Sequence, residues 1–308
     1  MLAKPVTRAR RLLRGLQLGR DEAVNLVRLG YRLVLKRDAD PQGEADFTAG
    51  LRSGRISPSE FLFRLASSPE ANAVTDQRSA GFPTFGHALH AARCEVVRQL
   101  PKARRIVDLG GGAENDPRGA LVVMGYPYPF DRLTIVEPPK PDRHELYRGV
   151  APDDPDTLDT GRGVIEYLYS SMADLSAIPS GSVDLVFSGE SIEHVTRAEC
   201  ERVLAEARRV LKPTGWLCFD TPNRAVTRLH VGDAHFINPD HKHEYTHGEM
   251  MALLARHRFE VVEAKGVTWT PVSARTGLFD VSEMAMNVGL YDDIEACYLL
   301  YYRCRPAA

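Results

Sequence analysis

From residue 104 onward, short apolar runs alternate with longer stretches in which apolar residues recur at helical spacing. The apolar runs predict strands at 104–109, 132–137, 164–169, 183–188, 215–220, 259–264 and 296–303. Regular alternation of strands and helices is typical of a parallel sheet that is covered by helices on both faces. The pattern therefore predicts a doubly wound α/β domain with seven strands.

Two of the predicted helices are well marked by their first residues. The region 197–211 places its apolar side chains along one stripe, and a second helix fits 247–257. Each region follows a threonine that has a glutamate three residues later: Thr196 with Glu199, and Thr246 with Glu249. This spacing predicts capping boxes, in which both side chains bind backbone amides at the start of the helix.

The chain before residue 104 has a different character. We divide the sequence into a basic arm (1–20), a helical module (21–75), a linker with a lead-in helix (76–103) and the α/β domain (104–308). Within the module, the turn residues at 38–43 predict a break between a first helix and a second helix at 44–51. The module is predicted to be all-α because its apolar residues recur with the period of a helix.

Composition excludes some classes of function. Hydrophobic residues make up 44% of the chain and the net charge is −2, so the chain as a whole is not suited to bind nucleic acid. The arm predicts either a solvated segment or a peripheral contact with an anionic membrane surface, because its charges are all basic. Five dispersed cysteines and the lack of an apolar run of roughly 18 residues predict a cytoplasmic protein with reduced thiols.

The most informative stretch follows the first predicted strand. Asp108 lies near the end of the apolar run, and Gly110, Gly111 and Gly112 come directly after it. Glycines let a backbone approach a ligand that a Cβ atom would exclude. The next strand ends on Glu137, and an acid at that point can accept hydrogen bonds from both hydroxyls of a ribose. Together these residues predict a site for a nucleoside cofactor.

A dinucleotide site of the NAD dehydrogenase type is disfavoured by the glycine pattern. The motif for such a site is G-x-G-x-x-G, and its third glycine is replaced here by Asn115. The phosphate-binding motif G-x-x-x-x-G-K-[ST] does not occur in the sequence. The nucleoside is therefore expected to be bound in another way.

Five motifs in order resemble those of the class I S-adenosylmethionine-dependent methyltransferases, over about residues 85–305. They are D-x-G-x-G at 108–112, the strand-end acid Glu137, the pair Asp174-Leu175, the fourth-strand segment 182–195 and the fifth-strand entry 209–217. The resemblance implies a Rossmann-like fold, a methyltransferase activity and S-adenosylmethionine as the cofactor.

The resemblance also implies which residues bind the cofactor: Asp108, Gly110, Gly111, Gly112, Glu137, Asp174, Leu175, Ser188 and Gly189. Glu137 would bind the ribose hydroxyls and Asp174 the adenine amino group, with Leu175 against the adenine ring. Ser188, Gly189 and Glu190 would leave the fourth strand beside the sulfonium.

Candidate catalytic residues crowd the loop at 222–246, where no element is predicted. An alcohol acceptor must lose its proton, and a positioned histidine or carboxylate can accept it. We predict His241 as the base, with His194 and Glu190 as further catalytic candidates. An alternative role for this loop is to bind a divalent metal, with His235, Asp240, His241 and His243 as candidate ligands.

The helical module resembles a small bacterial module of unknown function that occurs beside enzymes of extracellular polysaccharide synthesis. The resemblance rests on Tyr31, Leu35, Arg37, Asp40, Gly43 and the triplet Ser68-Pro69-Glu70. It implies that the acceptor is a saccharide or glycan precursor in cell-surface polysaccharide biosynthesis, methylated on oxygen. Two alternatives stay open: a lipid, quinone or other small-molecule acceptor, and a catalytically inactive nucleoside-binding scaffold.

Overall fold

The structure of the chain, a computed structural model, describes residues 18–35, 37–68, 70–71, 85–113, 116–139 and 157–307. The chain divides into a helical unit, 1–88 with 280–286, and a sheet unit, 89–279 with 287–308. Almost all of the predicted basic arm and most of the predicted linker lie outside the described residues. No helix in the described ranges is long and apolar enough to cross a membrane.

The helical unit folds around its own apolar core. It contains α1 (Arg20–Gly30), a π-helical turn (Tyr31–Leu35), α2 (Pro41–Ser53) and α3 (Pro58–Ala66). The buried side chains that form the core are Ala23, Val27, Tyr31, Leu35, Leu51, Ile56, Phe61, Leu65 and Ala71. Phe61 lies at the centre, since it is fully buried and packs edge-on against Phe47 at a centroid distance of 4.9 Å.

The second helix of this unit begins earlier than the sequence predicts. Asp40 is its N-cap, and its Oδ1 accepts a hydrogen bond from the Gly43 amide at 2.8 Å. Pro41 then occupies the first helical position, where proline is tolerated because that amide has no helical partner. The predicted turn at 38–43 therefore ends at Asp40, and a capping aspartate followed by proline is the signal for the helix start.

The sheet unit is built on a mixed sheet whose order, in the described residues, is β3-β4-β2-β1-β5-β6-β9-β7-β8. The strands are β1 (Arg105–Leu109), β2 (Arg132–Glu137), β3 (Leu158–Asp159), β4 (Val164–Tyr169), β5 (Val183–Gly189), β6 (Leu211–Pro222), β7 (Phe259–Trp269), β8 (Leu290–Tyr291) and β9 (Cys297–Pro306). The doubly wound α/β prediction is confirmed, and all seven predicted strands are present. The two-residue strands β3 and β8 are additional.

The helices between the strands also follow the sequence closely. They are α4 (Phe85–Arg98), α5 (Ala120–Val123), α6 (Arg197–Val210), α7 (Arg224–Val231), α8 (His247–Arg256) and α9 (Pro271–Thr276), and α10 (Ser282–Met286) belongs to the helical unit. Both predicted capping boxes form, at the starts of α6 and α8. Helix α7 was not predicted, because its cap, Asn223, lies in a loop rich in polar residues.

Strand register brings three strand ends together. Parallel pairing places Leu109 of β1 opposite Ser188 of β5, and Gly189 of β5 opposite Asp220 of β6. The carboxyl ends of β1, β5 and β6 therefore meet at one edge of the sheet. In open α/β sheets this edge is where ligands bind.

We expect Phe61→Ala to lower the free energy of unfolding of the helical unit by about 3–5 kcal/mol, because it empties the centre of a small core. Leu29→Ala is the matched control, since Leu29 is 53% exposed on α1. Limited proteolysis read by mass spectrometry would locate the cleavage. Faster cleavage is expected within 20–71 for Phe61→Ala and not for the control, with the sheet unit protected in both. Equal protection of 20–71 in the two variants would contradict a separate core.

Candidate active site

The glycine turn after β1 is held by contacts with β2 and with the segment after β5. Gly110 has a φ of +71°, a conformation that favours glycine. Its amide donates to the Val136 carbonyl at 2.8 Å, which ties the turn to β2. A Cβ atom at Gly110 would lie 2.5 Å from the Ser191 hydroxyl oxygen, so a larger residue there would displace the segment after β5.

Glu137, at the end of β2, lies beside this turn. Glu137 is 7% exposed, and its Oε1 accepts a hydrogen bond from the Gly112 amide at 2.6 Å. A Cβ atom at Gly112 would lie 2.7 Å from the same oxygen. The glycine therefore lets the acid and the backbone approach each other, and the turn presents Glu137 at the edge of the sheet.

Asp108 lies beneath the turn and is 1% exposed. Its Oδ2 has no hydrogen-bond partner among the described residues. Burial and the nearby Glu137 raise the pKa of Asp108 to about 8, while Arg93 acts in the opposite direction. A positive charge placed beside this carboxyl group would stabilise its ionised form.

The ends of β5 and β6 add further buried polar groups. Ser188 is 1% exposed, Asp220 is fully buried, and the described residues provide no partner for Ser188 Oγ or Asp220 Oδ2. Burial, with a contribution from Glu190, raises the pKa of Asp220 to about 6, although Arg93 opposes it. Unpartnered buried polar atoms on three adjacent strand ends, two of them carboxylate oxygens, fit a ligand that carries a positive charge.

The predicted adenine contacts lie after β4. Asp174 is exposed, and its carboxylate accepts from the Ser176 amide at 3.1 Å. Leu175 is fully buried in the main apolar core, and its amide donates to Glu206 on α6 at 3.0 Å. Asp174 is available to a ligand, whereas the Leu175 side chain has no exposed surface. The contact between Leu175 and an adenine ring stays a prediction.

On the acceptor side, His241 and Glu244 form a buried pair. His241 is 8% exposed, and its Nδ1 lies 2.8 Å from Glu244 Oε1. Glu244 also accepts hydrogen bonds from the Thr227 hydroxyl and from the Ile237 amide at 2.8 Å. Burial alone would raise the pKa of Glu244, but these hydrogen bonds outweigh it and lower that pKa. An ionised Glu244 orients the imidazole through Nδ1 and directs Nε2 to the opposite side.

His241 Nε2 faces Glu193 and His194. It lies 4.0 Å from Glu193 Oε1, and the rings of His194 and His241 meet edge-on at a centroid distance of 4.7 Å. Glu193 Oε2 accepts from the Thr221 hydroxyl at 2.9 Å, while Oε1 finds no partner in the described ranges. Burial, with Glu190 next in importance, raises the pKa of Glu193 well above its ordinary value.

The geometry favours a different metal site from the one that the sequence predicts. The described residues contain one group whose ligand atoms all lie within 4.8 Å of one another, namely Glu193, His194 and His241. Of the four predicted ligands, only His241 belongs to it. His235 is exposed, Asp240 is half-buried, and His243 packs edge-on against Tyr245 at a centroid distance of 4.5 Å. One carboxylate and two imidazoles form a donor set that suits a divalent ion.

Three residues of the site were missed from the sequence: Arg93, Glu193 and Asp220. Glu244 is among the candidate bases that the sequence places in the loop at 222–246, and the structure pairs it with His241. Glu193 adjoins the predicted His194, but only the fold shows that it is buried beside His241. Arg93 lies 97 residues before Glu190 and has no local signal, because a long-range fold brings the two together.

Two family descriptions match the chain. Residues 151–219 match the family described as "Methyltransferase domain". Residues 21–75 match the family described as "Domain of unknown function (DUF4214)". The second match agrees with the predicted helical module and gives it no function.

The curated relatives that match this chain share the same name. A protein of Burkholderia orbicola named "Ubiquinone biosynthesis O-methyltransferase" is 30% identical over 188 residues, which cover 57% of this chain and 72% of the relative. A protein of Burkholderia thailandensis with the same name is 27% identical, with the same shares covered.

The fold recurs in a methyltransferase complex from Haloferax volcanii. That structure contains the Trm112 methyltransferase activator, and the matching chain has a TM-score of 0.50 and 17% identity. The match covers 77% of this chain and 93% of the solved one. Because the curated relative of B. orbicola is 30% identical over most of its length, this chain belongs to the class I S-adenosylmethionine-dependent methyltransferases.

Proposed function

We propose that the chain is an O-methyltransferase that transfers the methyl group of S-adenosylmethionine to a phenolic hydroxyl of a small, quinone-type molecule. The observation that carries this proposal is the buried His241–Glu244 pair, with a Nδ1–Oε1 distance of 2.8 Å. A hydroxyl acceptor must lose a proton during transfer, whereas a neutral amine can attack the methyl group before it loses one. A preformed histidine–carboxylate pair therefore favours oxygen as the acceptor atom.

The residues at the strand ends fit the cofactor. When bound, S-adenosylmethionine supplies an electrophilic methyl group on a positively charged sulfur. Glu137 would accept hydrogen bonds from the ribose hydroxyls, and charged acceptors make the stronger bonds of this kind. Asp108 and Ser188 would offer Oδ2 and Oγ, which are buried and have no partner in the described part of the chain. Asp174, which is exposed, would accept from the adenine amino group.

His241 would act as the general base. An acceptor hydroxyl that hydrogen-bonds to His241 Nε2 would give its proton to that nitrogen as the oxygen attacks. Glu244 would stabilise the resulting imidazolium through Nδ1, as the third member of a catalytic triad does. His194, edge-on to His241, would limit the orientations of the ring. Glu190 would not act as the base, since its carboxylate is paired with Arg93 at 3.0 Å.

The nature of the acceptor rests on the relatives. Those found are named for ubiquinone biosynthesis, which supports the small-molecule alternative over the glycan precursor. The helical module matches a family of unknown function and adds no support for a polysaccharide setting. A phenol also suits an imidazole base better than a sugar hydroxyl does, because a phenol loses its proton more readily, with a pKa of ~10 as for tyrosine.

A panel of acceptors tests this proposal. We expect tritium from labelled S-adenosylmethionine to appear in dihydroxybenzoates and short-tailed hydroquinones. Nucleotide sugars and oligosaccharides should stay unlabelled. An aminophenol and its matched aniline would distinguish methylation on oxygen from methylation on nitrogen. Labelling of the aniline would contradict the proposed chemistry. Labelling of saccharides alone would instead support the glycan acceptor.

We expect His241→Asn to lower turnover on such a phenol by about 10²–10⁴-fold, because the transfer loses its base. The affinity for S-adenosylmethionine, measured by calorimetry, should change less than threefold. His243→Asn is the matched control, since this nearby histidine packs against Tyr245 instead of Glu244. If the His241→Asn variant kept wild-type turnover, His241 would be excluded as the general base.

The same cluster has a second candidate role, binding of a divalent ion by Glu193, His194 and His241. The observation that favours it is the buried, unpartnered Glu193 Oε1 beside two imidazoles. Equilibrium dialysis with Mn²⁺ should then show one ion bound per chain, lost in Glu193→Gln and retained in His235→Asn. Failure to retain Mn²⁺ in the unaltered protein would exclude this role and leave His241 as a base.

A further inference from the structure

Arg93 joins the ends of two strands from a helix that precedes both of them in the sequence. It lies on α4, four residues from Leu89 and from Val97, which are both buried, so all three share one helix face. Its side chain is 15% exposed. The guanidinium Nη1 lies 3.0 Å from Glu190 Oε2, and Nε lies 3.0 Å from Asp220 Oδ1.

Each contact of Arg93 fixes a group at the edge of the sheet. Asp220 is held through Oδ1, which leaves Oδ2 buried and without a partner among the described residues. Glu190 has a φ of +48°, which is uncommon for a residue with a side chain. The Glu190 amide also donates to the Asp220 carbonyl at 3.0 Å, so backbone and side chains hold the same geometry.

The space around Arg93 is tight and strongly charged. A Cβ atom at Gly189 would collide with the Nη2 atom of Arg93, so a larger residue where β5 ends would displace the guanidinium. The carboxyl groups that act on Arg93 belong to Asp220, Glu190 and Glu193, and Arg93 acts in turn on Asp108. Burial would lower the pKa of Arg93, but these carboxylates outweigh it and raise that pKa.

We propose that Arg93 is a positioning residue that fixes Asp220 and Glu190 so that the pocket distinguishes the positively charged sulfonium cofactor from its neutral thioether product. Asp220 Oδ2 is the group presented to the positive charge. Methyl transfer removes that charge, because the sulfur keeps the electron pair of the broken carbon–sulfur bond. The carboxylates therefore attract the cofactor more strongly than the product. The proposal concerns the cofactor alone and stands independently of the acceptor.

The test compares the affinities of the full-length chain for S-adenosylmethionine and S-adenosylhomocysteine, two ligands that differ in the charge on sulfur. Calorimetry gives the ratio of the two dissociation constants. We expect Arg93→Gln to reduce the preference for the sulfonium at least fivefold. Arg98→Gln is the matched control, since Arg98 lies on the same helix with 60% of its side chain exposed, and should keep the wild-type ratio.

A double-mutant cycle tests whether Arg93 affects the preference for the sulfonium through Asp220. Arg93→Gln combined with Asp220→Asn should reduce the preference no further than the stronger single variant, because both act on one interaction. Arg93→Lys keeps the charge but cannot bridge both carboxylates, so it should restore less than half of the lost preference. If Arg93→Gln does not fold, Arg93→Lys and Asp220→Asn carry the test. An unchanged ratio, equal weakening of both ligands, or additive losses in the cycle would overturn the proposal.

Discussion

The burial of several carboxyl groups at the carboxyl-terminal edge of the sheet is the constraint on which the candidate active site depends. Carboxyl groups from Asp108, Glu193 and Asp220 converge there away from water, and each has a raised pKa. In the described residues Arg93 is the cation that bridges this edge, and one oxygen of each of these three carboxyl groups has no hydrogen-bond partner there. A positively charged ligand would relieve both the lost hydration and the mutual repulsion. A methyl donor with a sulfonium centre meets this requirement, and the product that has lost the charge meets it less well.

The acceptor side is organised on a different principle. Glu244 accepts three hydrogen bonds and stays ionised, so His241 is held in one orientation before any acceptor arrives. In the proposed reaction, proton acceptance and charge recognition would therefore be carried out by separate groups, which adjoin each other at Glu193 and Glu190. Separation of this kind would let the acceptor loop vary among relatives without disturbing the cofactor site, because loops tolerate change better than strand ends do.

Local signals accounted for most of the fold. The capping boxes at α6 and α8, the seven long strands and the glycine turn all follow from residues close together in the sequence. The position of Glu137 at the end of β2 could be predicted because an apolar run ends there in the sequence. Arg93 and the burial of Glu193 could not, since they depend on contacts across 97 and 28 residues. The burial of Leu175 could not be predicted either, because an apolar residue after a strand is consistent with either a ligand contact or a core position.

Strand order has a consequence for how the protein is made. β9 (Cys297–Pro306) is inserted between β6 and β7, and its pairing with β6 spans about 80 residues of chain. During synthesis on the ribosome, β6 and β7 would each expose an unpaired edge until residue 306 has emerged. Nascent chains of this protein would therefore pass through a state with an open groove in the middle of the sheet. Chaperones that shield exposed strand edges would act at that stage, and premature termination just before β9 would leave the groove permanently open.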